Sequence, residues 1–484
     1  MKIPIQFNYT VSVSRLKIVL PVLFLPCLIL LISGCAVGPN YNPPKISIPE
    51  SWSELQQKGE ATPASIVQWW KTFNDHVLDS LITRAVKSNL DLRVAEARVR
   101  EARFQSSVVA ADLWPSANTS ASYSRSRRSI GISTIPPKAK VKRDLYEAGF
   151  DASWEIDLFG GKRRAIEAAR ADIDAAVENH RDVLITLLAE VARNYIEVRG
   201  SQRRLEIVRK NIQIQQETVD ITRVRYKAGL SSELDAIQAE ALLATTKSQI
   251  PLLENSMKQA IHRIGILLGQ NPGALLVELT KEAPIPPAPA AVPVGLPSDL
   301  LRRRPDVRRA ERELAATTAR IGVAKADLFP KFSLTGDFGL QTENLNAFSL
   351  THSRFWSIGP TVRWPIFEAG RIRANIKVQN ARQEQSLLNY EKAILSSLED
   401  VENAIVAYNT EYVRHQNLSE AVNANRRAVD LASELFTKGL ANFLNVLDAE
   451  RSLYKAEDDL TQSERTVSLN LVTLYKALGG GWET

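Results

Sequence analysis

The sequence predicts a mostly α-helical protein with a small β portion suited to a membrane barrel, internally duplicated. Three observations carry this. Short motifs return about 210 residues later in the chain. Four segments alternate apolar and polar residues with period two. Two proline-free runs, 161–226 and 370–436, keep a three-four apolar period throughout. A repeat this long duplicates one large structural unit, whereas the 20–50-residue periods of solenoids stack small ones.

The motifs keep their order. Ala111-Asp-Leu-Trp-Pro115 returns as Ala326-Asp-Leu-Phe-Pro330, and Trp154-Glu-Ile-Asp-Leu-Phe-Gly-Gly161 as Trp364-Pro-Ile-Phe-Glu-Ala-Gly370. Gly229-Leu230 with Leu234 and Ala239-Glu240 returns as Gly439-Leu440 with Leu444 and Ala449-Glu450.

Residues 1–34 read as a leader. Lys2, Arg15 and Lys17 precede an apolar run too short and too proline-interrupted to span a bilayer. The run ends in Ile32-Ser33-Gly34-Cys35, which resembles a bacterial lipobox and marks Cys35 for acylation. Loss of the leader removes three positive charges, so the net charge falls from +7 to +4 over 450 residues. That is too little to argue for a nucleic-acid partner. Cys27 leaves with the leader, so no internal disulfide is available and stability must come from packing and assembly. No other stretch is apolar over ~20 residues, so any membrane crossing is made by strands.

Residues 35–76, rich in proline and carrying Trp52, Trp69 and Trp70, read as an extended arm. A first repeat, 77–282, then predicts a helix over 77–111, strands over 116–124 and 150–158, the long helix, and a returning helix over 232–268. The Pro/Ala-rich stretch 283–297 links it to a second repeat, 298–478: a helix over 298–326, strands over 332–340 and 358–366, the second long helix, and a return over 441–478. Residues 479–484 are a tail. Pro305 suits a first helical turn. Gly229 and Gly439 suit left-handed helix caps.

One face of 150–158 carries Phe150, Ala152, Trp154, Ile156 and Leu158; the other carries Asp151, Ser153, Glu155 and Asp157. A strand crossing lipid around a water-filled lumen has this pattern, and so does a half-buried soluble sheet. Four strands cannot close a barrel, and lipid tolerates no open edge. A spanning protein must therefore pool strands as a dimer of eight or a trimer of twelve. Each long run, as one helix, extends ~100 Å. Its sustained period argues coiled coil.

Cys35-Ala-Val-Gly-Pro-Asn-Tyr41, Trp69-Trp70, Leu301-Arg-Arg-Arg-Pro-Asp306 with Ala310-Glu311-Arg312, and Leu474-Tyr-Lys-Ala-Leu-Gly-Gly-Gly-Trp482 occur in order within the duplicated frame. Together they resemble the outer membrane factors, the TolC-like exit ducts of Gram-negative export systems, in their OprM/NodT-type lipoprotein branch. The resemblance covers nearly the whole mature chain. It implies a homotrimer with one shared 12-stranded barrel and a coiled-coil tunnel through the periplasm. It further implies a lipid anchor at Cys35 in the outer membrane, a periplasmic adaptor and an inner membrane pump of the resistance-nodulation-division type as partners, and no enzymatic activity. By the same resemblance Leu444 and Asp448, one helical turn apart, form an apolar and an acidic ring at the periplasmic gate. The resemblance likewise implies that Gly229, Leu230, Gly439 and Leu440 are the tips that meet the adaptor. The rival reading is a coiled-coil structural or adaptor lipoprotein confined to the periplasm.

The other motifs carry no chemistry. His76, His180, His262, His352 and His415 lack metal-site spacing, and Gly160-Gly-Lys-Arg163 lacks a phosphate loop's flanking residues. No nucleophile–base arrangement is evident, and no cofactor is expected beyond the lipid on Cys35. The arginines between 302 and 312 read as a solvated helix face.

Overall fold

The computed structural model describes residues 36–53, 66–129, 141–289, 292, 294–295, 297–348 and 351–483. The leader and the expected acylation site, Cys35, lie outside them. The chain divides into two compact units. One comprises Met1–Pro43, Glu101–Ile173 and Arg312–Leu387; the other comprises Pro44–Arg100, Asp174–Glu311 and Leu388–Thr484.

Eight helices of more than a few turns are present among the described residues: α1 (His76–Ser88), α2 (Leu90–Ala111), α3 (Gly161–Lys227), α4 (Glu233–Lys247), α5 (Gln249–Leu267), α6 (Pro305–Ala326), α7 (Arg371–Thr437) and α8 (Phe443–Ala477). The strands are β1 (Ser116–Arg127), β2 (Lys142–Ile156), β3 (Lys331–Thr342) and β4 (Arg354–Arg363). No described helix is long and apolar enough to cross a membrane.

Both long helices form as the periodicity predicts, each with 67 residues. Three expected continuous helices are interrupted. The first breaks at Asn89, whose buried side chain donates to the Leu267 carbonyl (2.8 Å) and accepts from the Leu92 N–H (2.9 Å). That capping outcompetes helix continuation. The return over 232–268 breaks at Ser248, because Pro251 in the next turn brings no N–H for the carbonyl four residues back. The helix over 298–326 starts as a single turn, Leu300–Arg303, then turns extended at Arg304, the residue before Pro305.

In the first unit the strands form one antiparallel sheet in the order β1-β2-β3-β4. Register decides what each face carries. Thr119, Phe150, Phe338 and Trp356 lie in one cross-strand row, and Ala117, Ala152, Gly336 and Ile358 in the next. Opposed residues share a face, so the four apolar stripes read from sequence merge into one surface. Its side chains are open, Trp356 at 73% and Ile358 at 69% exposure. The opposite face carries the row Asn118, Asp151, Asp337 and Ser357. Among the described residues, β1 and β4 leave both edges of the sheet unpaired in the single chain.

The strands start earlier or run longer than expected, but β2 and β4 end short, at Ile156 and Arg363. The first hairpin extends until Arg127 pairs with Lys142, and β4 spans Arg354–Arg363 where the alternation predicts 358–366. Phe355 and Trp356, adjacent aromatics on opposite faces, hide the alternation at its start. At its end Pro365 offers no ladder donor. The Trp364 indole instead donates to the Leu328 carbonyl (3.1 Å), as Trp154 does to Leu113 (2.8 Å). Asp157, just past β2, accepts from the Lys162 and Arg163 N–H groups and so caps α3.

The core of the second unit gathers distant motifs. Trp69 stacks on Tyr475 with ring centroids 5.5 Å apart, and the Trp482 indole donates to the Arg303 carbonyl (2.8 Å). Gly481 (φ 107°) permits that approach, since a Cβ there falls 2.7 Å from Leu188 Cδ1. Two carbonyls of the linker face helices: Ser468 donates to that of Pro286 and Tyr408 to that of Pro289. The arginine run is not a solvated face. Arg304 is buried and paired with Asp306 (2.7 Å) and Asp400 (2.9 Å), and Arg308 meets Glu178 (2.7 Å) beside the Trp482 ring. A face-on period cannot reveal acids supplied by helices elsewhere in the chain.

Candidate functional site

Where α3 turns into α4 and α7 into α8, the second unit presents two helical hairpin tips. Each long helix ends in the same double hydrogen bond. Gly229 N–H donates to the Tyr226 carbonyl and Leu230 N–H to that of Arg225; Gly439 and Leu440 repeat this onto Phe436 and Leu435. Both glycines sit at φ 75°, the left-handed conformation this cap demands. Nothing lies within 4 Å of a Cβ built on either, so the space beside each glycine is free. Leu230 and Leu440 are 67% and 72% exposed.

The helices behind the tips share an apolar cluster of Val219, Ala239, Leu243, Phe436, Phe443, Val446 and Leu447. Burial of Phe443, Val446 and Leu447 fixes the rotation of α8. Leu444 and Asp448 consequently fall together on its exposed side, with Leu444 at 53% exposure. The Arg225 guanidinium lies 4.6 Å from the centre of the Phe436 ring.

The tips differ in capping. Ser232 and Asp235 form a reciprocal capping box, Asp235 accepting from the Ser232 N–H and Ser232 Oγ from the Asp235 N–H. Asn442 at the matching place makes no side-chain cap. Asp235 is therefore a helix cap, whereas Asp448 is free of that duty.

Behind the cluster, α3 and α8 meet along a polar seam that sequence reading missed. Glu197, Arg204, Asn211 and Thr218, each seven residues apart, face Arg465 (3.0 Å), Asp458 (2.6 Å), Glu457 (3.4 Å) and Glu450 (2.8 Å) in turn. The heptad spacing on α3 is visible in sequence, but its partners, about 230 to 270 residues later, are not. Glu450 is 6% exposed, and burial pushes its carboxyl above the ordinary glutamate range, against the Thr218 hydroxyl that lowers it. Its repeat-mate Glu240 is exposed and paired with Arg223 (2.7 Å).

The family described as "Outer membrane efflux protein" matches the chain twice, over residues 81–270 and 296–480. Nodulation protein T of Rhizobium leguminosarum bv. trifolii is 32% identical over 468 residues, covering 94% of this chain and 97% of the relative. The pyoverdine export outer membrane protein OpmQ of Pseudomonas aeruginosa is 34% identical over 466 residues, covering 94% and 96%. Among solved structures, the outer-membrane channel OprN superposes with a TM-score of 0.87 at 36% identity, over 93% of this chain and all of that one.

Proposed function

The chain belongs to the outer membrane efflux protein family, and on that premise we propose that it is the outer membrane channel of a tripartite efflux system, a passive exit duct for small molecules. Its relatives are channel proteins rather than enzymes, and its place is the outer membrane with an extension into the periplasm. The sheet carries the reading: four strands, one face apolar and open, the other polar, both edges unpaired. Water on the apolar face and lipid at the edges are both costly. Three copies pooling strands into a twelve-stranded barrel remove both costs, turning the apolar face to lipid and the Asp151–Asp337 row to the lumen. A lipoprotein confined to the periplasm leaves that face in water.

The twofold family match and the paired indole bonds of Trp154 and Trp364 support a duplicated unit. In this reading the helices form a coiled-coil tunnel, a lipid on Cys35 anchors the chain, and Leu444 and Asp448 ring the periplasmic aperture. The tips at Gly229-Leu230 and Gly439-Leu440 receive an adaptor that links to a resistance-nodulation-division pump. Serines, threonines and acids on the sheet's polar face suit drugs, metals or aromatic compounds alike, so cargo choice falls to the pump. Detergent-solubilised protein is expected to run as an SDS-resistant trimer that dissociates on heating and to form single channels in planar bilayers. A monomer with no channel activity refutes the reading.

A further inference from the structure

We propose that Glu450 is a proton-operated latch: neutral, it holds α8 against α3 and keeps the hairpin tip shut; ionised, it forces the helices apart and opens it. The inference rests on the channel reading and goes beyond it.

The seam supplies the geometry. Glu197 has Arg465, Arg204 has Asp458, and Glu457 has Arg426 (2.8 Å). Charge is matched on every rung until the last, where Glu450 meets only the Thr218 hydroxyl. Its second oxygen is buried and accepts no hydrogen bond. A neutral carboxylic acid tolerates that burial far better than a carboxylate does.

Among the described residues no cation pairs with the carboxylate. On α3, Arg223 is held by Glu240 of α4, and Arg225 lies over Phe436 with its Nε making no hydrogen bond. On α7, Arg426 is held by Glu457. On α8 itself Asp448, Arg451 and Lys455 lie on the exposed side. An uncompensated buried charge is relieved by admitting water, which means separating the helices. Because Leu444 and Asp448 ride on the same first turns of α8, that separation moves them directly.

The direction with pH follows. The packed tip binds the proton more tightly than an opened one, since burial raises the Glu450 pKa above its ordinary 4.5. Closure is therefore strongest below that value and weakens as pH rises from it through the raised value.

The test is single-channel recording of the full-length trimer as pH on the periplasmic side is stepped from 4.5 to neutrality. Wild-type open probability should rise across that range. Glu450→Gln, a permanently neutral isostere, should stay closed at every pH. Thr218→Val removes the hydroxyl that favours the ionised form, so its midpoint should move to higher pH. A wild-type pH response in Glu450→Gln or an unmoved midpoint in Thr218→Val each overturns the latch. Should Glu450→Gln fail to form SDS-resistant trimers, Thr218→Val decides alone. Absence of channels in the wild type itself refutes the underlying channel reading instead.

Discussion

Arg204 of α3 grips Asp458 of α8 through two N–H···O contacts, 2.6 Å from Nε and 3.1 Å from Nη2. The pair sets the register between the helices. A slip of one heptad in one direction places Arg204 against Arg465, and in the other places Glu197 against Asp458. Both alternatives oppose like charges, so the seam excludes its own misalignments.

The two side chains are 24% and 19% exposed, enough burial to lift the pair above an ordinary surface ion pair. A double-mutant cycle with Arg204→Ala and Asp458→Ala should return a coupling of about 1–2 kcal/mol in thermal unfolding. A coupling of zero removes the register role.

Leu444 and Asp448 occupy one exposed stripe of α8. If that stripe faces the aperture, the double substitution Leu444→Ala and Asp448→Ala makes the closed channel leak. Basal conductance in planar bilayers should rise above wild type, and cells should become permeable to bulky antibiotics. Unchanged conductance argues for a merely solvated stripe.

Gly439 separates two effects. Its φ of 75° costs a residue with a Cβ about 1–2 kcal/mol in the turn, while the space around it is empty. Gly439→Ala should therefore strain the cap mildly and spare export. Gly439→Trp should leave the heat-labile trimer intact and abolish export by obstructing the adaptor. Full export by the tryptophan variant is incompatible with docking at this tip.

Arg304 carries a stability prediction. Burial pushes the Asp306 carboxyl up, but the hydrogen bonds and charge of Arg304 outweigh it and hold its pKa below the ordinary 3.8. The pair's stabilisation is thus complete above that value and is lost as pH falls from 3.8 through the lowered one. Arg304→Gln strips the half-buried Asp306 and the exposed Asp400 of their cation and should cost about 3 kcal/mol at neutral pH. The penalty should shrink in acid. Thermal denaturation of both proteins across the acid range measures this, and a pH-independent difference contradicts it.

Local pattern already contained most of the architecture. The uninterrupted three-four period of α3 and α7 specifies helices because each apolar residue three or four positions on falls on the same side. Alternation in 150–158 and 332–340 assigns Phe150 and Phe338 each to the apolar side of its strand before any pairing is known. Gly229 and Gly439 announce their caps, since few other residues tolerate that backbone angle. Breaks at Asn89 and Ser248 were less visible, one depending on the distant Leu267 carbonyl and the other on a proline within an otherwise helical period.

Partnership between distant residues lay beyond such patterns. Glu240 and Glu450 occupy matching places in repeated motifs, yet one is an exposed member of an ion pair and the other is buried with a hydroxyl. Likewise, the arginines after Leu301 look solvated until α6 packs beside Glu178, Asp182 and Asp400. Periodicity is carried by neighbours along the chain and survives in any context. Burial and charge pairing depend on which segments, hundreds of residues apart, the folded chain sets side by side.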